Sequence, residues 1–169
     1  MVSKSLREQI RAQFGFRCGY CGVSEAESGG ELEVDHYRPV AHDGTEDASN
    51  LVYACVTCNR FKSDYWPEAE ASDDLRLLQP NVDALSTYVV ELSDGRLAGR
   101  TPRGWFHIQR LHLNRPAQIA LRKRRAEQNE LQELLANSQE AQNELRTHSR
   151  QLEQQITVLL QIIAQFGGD

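Results

Sequence analysis

The fold of this chain is decided by two short stretches, Cys18-Gly19-Tyr20-Cys21-Gly22 and Cys55-Val56-Thr57-Cys58-Asn59. Each contains a Cys-x-x-Cys pair, and the two pairs bracket Glu33-Val34-Asp35-His36. Two pairs at this spacing are typical of a tetrahedral zinc site. The sequence therefore predicts a zinc ion held by four thiolates, those of Cys18, Cys21, Cys55 and Cys58. Because four thiolates close the coordination shell, this zinc is expected to be structural.

The composition is that of a soluble, folded protein. The chain has 169 residues, of which 40% are hydrophobic and 25% are charged, and this predicts one compact domain plus an extension rather than disorder. Residues 1–8 lack the apolar segment of a signal peptide, and residues 156–166 are too short and too rich in glutamine to span a bilayer. We therefore expect a cytoplasmic protein. The reducing surroundings of the cytoplasm favour metal-bound thiolates over disulfides.

Local patterns predict an α+β fold around the cysteine pairs. Leu6, Ile10 and Phe14 recur at helical spacing after Ser3, which can cap a first helix. The other expected elements are short strands at 32–34 and 51–53, a short helix at 56–62, a β-hairpin at 88–98 with its turn at 93–95, and a helix from Pro102 to about Leu113.

The last part of the chain predicts one long helix. Asn114 can cap it, Pro116 fits its first turn, and neither proline nor glycine recurs before Gly167. A helix of about fifty residues is roughly 75 Å long. Apolar residues occupy the two core positions of a heptad: Leu131, Leu135, Leu145, Leu152, Ile156, Leu159, Ile163 and Phe166. We expect a coiled coil with a second copy or another protein, because so small a domain cannot bury the stripe of so long a helix. The alternative is a helix folded back on its own domain.

The charge distribution predicts a nucleic-acid surface late in the chain. The formal net charge of −5 argues against nonspecific adhesion to nucleic acid by the chain as a whole. Residues 100–125, however, contain neither Asp nor Glu. We expect the run Arg122, Lys123, Arg124 and Arg125 to contact a phosphate backbone, the alternative being a solvated helical face.

The residues between and directly after the cysteine pairs suit metal-assisted hydrolysis of a phosphodiester. His36 can act as the base that activates water, because a neutral imidazole accepts a proton near neutral pH. Asp35 and Asn59 offer oxygen ligands to a hard ion with open water positions, such as Mg²⁺ or Mn²⁺. These three residues are therefore the candidate catalytic group.

Several motifs in combination resemble the HNH endonucleases that carry a ββα-metal core and a zinc-binding cysteine quartet. The matching residues are Cys18-x-x-Cys21, Asp35-His36 with Pro39, Asn50-Leu51, and Cys55-x-x-Cys58-Asn59-x-x-Lys62. They cover about a quarter of the chain, and Asn59 stands where the family name has a histidine. The resemblance implies a DNA endonuclease with a one-metal mechanism. It also implies that Asn50 orients the loop or the imidazole of His36, and that Lys62 pairs with a phosphate oxygen.

Taken together, these patterns predict a nuclease domain at 1–115 with its core at 15–64, followed by a helix at 116–169 for oligomerisation or partner binding. The stretches Thr101-Pro102-Arg103-Gly104 and Leu111-His112-Leu113-Asn114-Arg115-Pro116 also resemble stand-alone bacterial HNH proteins linked to restriction and mobile-element defence. That resemblance implies an anti-phage nuclease that works with a partner protein such as an ATPase.

Two other functions stay open at the level of sequence. One is a catalytically silent zinc module that binds nucleic acid or scaffolds a complex through its coiled coil. The other is an RNase toxin on the same fold. The complete set of Asp35, His36, Asn50 and Asn59 favours the nuclease over the silent module, because a binding module needs only the cysteines.

Overall fold

The structure is a computed structural model that describes the backbone of residues 2–166 and the side chains of residues 2–164. The predicted heptad position Phe166 and the helix-ending Gly167 lie outside the residues so described. The chain divides into two compact units, Met1–Lys123 and Arg124–Asp169.

The first unit begins with helix α1, Lys4–Gln13, which has the predicted cap. The hydroxyl of Ser3 accepts a hydrogen bond from the Leu6 amide at 3.2 Å. Ile10 is fully buried, and Leu6 and Phe14 pack against the same core. The apolar spacing of this segment therefore predicted both the helix and its buried face. A short helix, α2, Glu25–Ser28, follows the first cysteine pair.

The centre of the first unit is an antiparallel pair of strands crossed by one helix. Strand β1, Glu33–His36, pairs with β2, Leu51–Ala54, so that Asp35 lies opposite Val52. Helix α3, Val56–Lys62, follows β2 directly and contacts β1. Every residue of β2 is buried. The two strands and the short helix are thus present as predicted.

A second hairpin and a further helix complete the first unit. After helix α4, Leu85–Tyr88, strands β3, Val89–Glu91, and β4, Leu97–Gly99, pair in antiparallel fashion. Helix α5, Pro102–Arg110, is shorter than predicted, because Leu111 ends it and His112 takes a left-handed φ of 48°. The predicted α+β class is confirmed.

The long helix α6 is Pro116–Phe166. The predicted cap, Asn114, has another role, because its side-chain oxygen accepts from the Leu97 amide at 2.7 Å and its nitrogen donates to the Leu97 carbonyl. Asn114 therefore fastens β4. In the second unit the apolar heptad side chains are exposed within the single chain, with Leu145 70% and Leu152 49% exposed. Among the described residues, no helix is long and apolar enough to cross a membrane.

Candidate metal centre and active site

The four cysteines of the first unit converge on one point. Their sulfur atoms all lie within 4.8 Å of one another, and the sulfurs of Cys21 and Cys55 are 3.7 Å apart. A zinc–sulfur bond of about 2.3 Å in a tetrahedron places neighbouring sulfurs about 3.8 Å apart. The cluster therefore fits a zinc ion in size and in donor type, as predicted from the two Cys-x-x-Cys pairs.

Backbone hydrogen bonds and two glycines set the positions of the sulfurs in the first cysteine pair. In the first pair, the Cys18 amide donates to the Val23 carbonyl and the Gly22 amide donates to the Cys18 carbonyl, both at 2.8 Å. Gly22 has a φ of 72°, which favours glycine. Gly19 is packed so closely that an added Cβ would lie 2.6 Å from a ring carbon of Phe14. The glycines of this turn therefore serve both its conformation and its packing.

The second cysteine pair begins a helix. Cys55 is the N-cap of α3, and its sulfur accepts a hydrogen bond from the Cys58 amide at 3.4 Å. A guanidinium nitrogen of Arg115 lies 3.9 Å from the sulfur of Cys58. A cation at this position offsets part of the negative charge of thiolate ligands.

The predicted catalytic residues line one pocket of about 350 Å³ between β1, residues 39–41 and the end of α3. Asp35, His36 and Asn59 all contribute to its wall, together with Lys62. Asn50 does not belong to this wall. Residues that lie up to 27 positions apart in the chain are thus brought to one site by the packing of α3 on β1.

Asp35 is held by two buried partners. One carboxylate oxygen accepts a hydrogen bond from the Tyr20 hydroxyl at 2.6 Å, and the other lies 3.1 Å from the ammonium of Lys62. Burial raises the pKa of Asp35, while the charge of Lys62 and the hydroxyl of Tyr20 oppose that rise. An ion bound at Asp35 would have to share this carboxylate with the Lys62 ammonium.

Lys62 does not contact solvent, which corrects its predicted role as a phosphate contact. The residue is 0% exposed, and its ammonium also donates to the His36 carbonyl at 2.6 Å. Burial lowers the pKa of Lys62, and the neighbouring Asp35 carboxylate opposes that effect. A lysine with these partners stabilises strand β1 and has no exposed ammonium to offer to a substrate phosphate.

The imidazole of His36 has an unused buried atom. Its Nε2 is buried and has no hydrogen-bond partner among the described residues. Buried polar atoms are nearly always paired in native proteins, so this unpartnered nitrogen is unusual. The residue itself lines the pocket, which is where a base that activates water has to lie.

Glu33 joins the candidate site, although the sequence analysis assigned it no function. Its carboxylate accepts a hydrogen bond from the side-chain nitrogen of Asn59 at 2.7 Å. A carboxylate only accepts hydrogen bonds, so this contact fixes which end of the Asn59 amide is nitrogen and directs the amide oxygen away from Glu33. The signal available in the sequence was the spacing from Glu33 to Asp35, since alternate residues of a strand share a face.

Asn50 fastens the loop that follows the catalytic strand. Its side-chain oxygen accepts from the Arg38 amide at 2.9 Å, and its nitrogen donates to the carbonyls of Arg38 and Thr45 at 3.1 and 2.8 Å. These contacts correspond to the loop-orienting half of the expected role. Orientation of the His36 imidazole would act through the loop, because the side-chain hydrogen bonds of Asn50 go to the backbone of residues 38 and 45.

The four residues of the predicted basic run, 122–125, differ in their exposure to solvent. Arg122 is 5% exposed, and its guanidinium donates to the carbonyls of Gly95 at 2.6 Å and Leu113 at 2.9 Å. The expectation that Arg122 contacts phosphate is therefore corrected: it bonds the hairpin turn and the chain segment before α6. Lys123 and Arg124 are exposed and Arg125 is partly exposed, and their phosphate contacts stay predictions.

Comparison with known proteins agrees with the geometry. The family model described as HNH endonuclease matches residues 18–64, a segment that contains all four cysteines and the catalytic pocket. Searches of curated proteins and of solved structures found no significant match. Residues 18–64 therefore match the HNH endonuclease family model and contain a four-cysteine cluster suited to zinc.

Proposed function

We propose that the protein is a metal-dependent endonuclease that hydrolyses phosphodiester bonds of DNA. The observation that carries this proposal is the single pocket that His36 lines together with Asp35 and Asn59. The HNH match over the same segment supports a nuclease-type function in general. A module that only binds nucleic acid has no need of an imidazole and two oxygen donors in one pocket.

In the proposed mechanism, the imidazole of His36 accepts a proton from the attacking water. Asp35 and Asn59 would hold a single hard ion, Mg²⁺ or Mn²⁺, which supplies charge stabilisation to the transition state and to the leaving oxygen. The carboxylate of Asp35 and the amide oxygen of Asn59 suit such an ion in donor type. Glu33 orients the Asn59 amide, and Lys62 and Tyr20 fix the Asp35 carboxylate.

This hard ion is distinct from the zinc ion and binds at a different site. Four sulfurs suit a soft, closed tetrahedral site, whereas oxygen donors at an open pocket suit a hard ion that keeps water ligands. The zinc site connects the turn after α1 to the start of α3. It thereby sets the position of the helix that carries Asn59 and Lys62. A cytoplasmic location follows as part of the proposal, because the thiolates must stay reduced to bind zinc.

We extend the proposal to assembly through α6. Apolar heptad side chains of the second unit are exposed in the single chain, including Leu131 at 57%, Leu159 at 58% and Ile163 at 64%. Pairing with a second copy would bury this stripe. The alternative occupant is a partner protein such as an ATPase. A role in bacterial anti-phage or restriction-type defence rests on the resemblance of residues 101–104 and 111–116 to stand-alone HNH defence proteins.

The decisive experiment incubates zinc-loaded, full-length protein with supercoiled plasmid, single-stranded DNA and RNA. Mg²⁺ or Mn²⁺ is either added or omitted. We expect DNA cleavage that requires the added ion and is lost in His36→Ala. The matched control is His42→Ala, which changes an exposed histidine of the neighbouring loop and should cleave normally. Cleavage of RNA alone would replace the DNA assignment, and equal cleavage by wild type and His36→Ala would overturn the assigned base.

A further inference from the structure

A cluster of two arginines and one tryptophan lies beside the catalytic strand. The guanidinium carbons of Arg38 and Arg76 lie 5.4 and 5.5 Å from the centre of the Trp66 indole ring. Trp66 in turn packs edge-on against the buried Tyr37 ring at 5.7 Å. We call these three residues, Arg38, Trp66 and Arg76, the Arg–Trp cluster. Tyr37, which directly follows His36 in the chain, thus holds Trp66 in place.

Chain continuity places the Arg–Trp cluster at the catalytic pocket. Arg38 lies between His36 and Pro39, and both of these residues line the pocket. Trp66 follows two residues after Asp64, which lines the pocket just after the end of α3. A phosphate held by Arg38 would therefore lie close to the phosphodiester presented to His36.

The charges of the cluster are weakly compensated. Arg38 and Arg76 are 45% and 47% exposed, and their carboxylate neighbours, Asp43 and Asp73, lie 3.8 Å away. These two aspartates are themselves 98% and 69% exposed. Exposed ion pairs of this kind contribute little to stability. A phosphate oxygen can therefore replace either aspartate at little cost.

The cluster is also preorganised for a phosphate. A cation–π contact with the indole restricts each guanidinium and adds a modest attraction at an exposed site. The Nε of Arg38 additionally donates to the His42 carbonyl, which ties the side chain to the pocket loop. An arginine held in this way keeps N–H groups in the planar arrangement that matches two phosphate oxygens.

We propose that Arg38 and Arg76, held by Trp66, bind the phosphate backbone of the nucleic acid beside the scissile bond. This inference rests on the proposed nuclease function and names the surface through which that site holds its substrate. The two arginines also supply local positive charge, which a chain with a net charge of −5 needs in order to bind a polyanion. Two of the basic residues expected from the sequence, Lys62 and Arg122, are buried and unable to do so.

The test measures binding separately from cleavage. Full-length, zinc-loaded protein carrying His36→Ala is titrated into fluorescent duplex DNA, and into RNA of the same sequence, over a series of salt concentrations. Arg38→Gln and Arg76→Gln are compared singly and together. Loss of each phosphate contact should reduce the slope of log K against log salt by about 0.9. We expect the double variant to lose about 1.8 in slope and about tenfold or more in affinity.

The matched control is Arg96→Gln, which removes an exposed arginine whose ion pair with Asp94 spans 3.5 Å. It should keep the wild-type slope. Arg38→Lys should keep most of the slope, because it retains the charge, and thermal unfolding checks that each variant is folded. Unchanged affinity and slope in the double variant would overturn the inference, as would absence of nucleic-acid binding by the parent protein. Cleavage by wild type with arginine-independent binding defeats only this inference, whereas arginine-dependent binding without any cleavage defeats only the proposed enzyme.

Discussion

The ammonium of Lys62 lies 3.1 Å from a carboxylate oxygen of Asp35, and the two side chains are only 1% and 7% exposed. This ion pair joins the last turn of α3 to strand β1. Each charge has a second partner, since Tyr20 donates to Asp35 and the His36 carbonyl accepts from Lys62. The pair therefore couples the order of the strand to the helix that carries Asn59.

Replacing Lys62 with methionine should destabilise the domain strongly. The change leaves the Asp35 carboxylate buried without its cation, and breaking a buried pair in this way costs about 3–5 kcal/mol. The double variant Lys62→Met with Asp35→Asn should recover part of that loss, because it removes the unpaired charge. The free energy of unfolding from denaturant titration in excess zinc measures both effects.

The control for this cycle is Lys123→Met, because Lys123 is exposed and its loss should change stability by no more than about 0.5 kcal/mol. Equal stability of wild type and Lys62→Met would contradict the role of the pair as a structural link. Additive single variants would show that the two groups are not coupled.

Replacing Glu33 with glutamine should weaken binding of a hard divalent ion. Glutamine offers both a donor and an acceptor, so its contact with the Asn59 amide no longer fixes the orientation of that amide. Changes to a group that orients a metal ligand typically cost about 10–100-fold in metal affinity. Calorimetric titration of zinc-loaded protein with Mn²⁺ measures this affinity without recourse to cleavage.

Glu31→Gln provides the comparison, because Glu31 is a nearby glutamate that is 53% exposed and lies 3.7 Å from Arg7. It should bind Mn²⁺ like the wild type. If Glu33→Gln also binds Mn²⁺ with wild-type affinity, Asn59 needs no orientation by Glu33 and the assigned role is wrong.

The elements around the site could be predicted from the sequence because they depend on local patterns. The ends of α3 and the turn between β3 and β4 follow from cysteine spacing, apolar alternation and the Asp94-Gly95 turn. The cysteine cluster could also be predicted, because two Cys-x-x-Cys pairs are the usual spacing of four thiolate ligands around one zinc ion.

The roles that sequence analysis missed all depend on contacts between distant residues. Lys62 meets Asp35 across 27 positions, and Arg122 meets Gly95 across 27. Nothing local distinguishes a buried lysine or arginine from an exposed one, because the partner that permits burial lies elsewhere in the chain. The contact between Glu33 and Asn59 spans 26 positions and was hidden for the same reason.

Replacing Cys55 with serine should release zinc and destabilise the first unit. Serine preserves the N-cap of α3, because its hydroxyl accepts a backbone hydrogen bond as the Cys55 sulfur now does. The effect of the variant therefore reports loss of the metal ligand. Since the free energy of zinc binding is part of the free energy of folding, we expect the melting temperature to fall and the bound zinc to drop well below one equivalent. An unaltered melting temperature with one bound zinc would exclude the four-cysteine site.

The acid sensitivity of the fold should depend on His107. This imidazole is 1% exposed, and its Nδ1 accepts a hydrogen bond from the Leu78 amide at 3.1 Å. Burial, with the nearby charge of Arg103, lowers the pKa of His107 to about 4. Between pH 6.5 and 4 the unfolded chain therefore binds a proton that the folded chain does not, so stability should fall as the pH falls through this range, by about 3 kcal/mol.

His107→Gln should be less stable than wild type at pH 7 but should lose less stability on acidification. The wild type has to be compared with two variants, because acid also protonates the zinc-binding thiolates and so lowers the stability of every form of the protein. His148→Gln removes an exposed histidine of α6 and should follow the wild-type curve. Denaturant unfolding of all three proteins from pH 7.5 to pH 4.5 separates the contributions, because zinc release is common to all of them. Parallel curves for wild type and His107→Gln would mean that His107 titrates equally in the folded and unfolded chains, which its burial and its acceptor role toward Leu78 argue against.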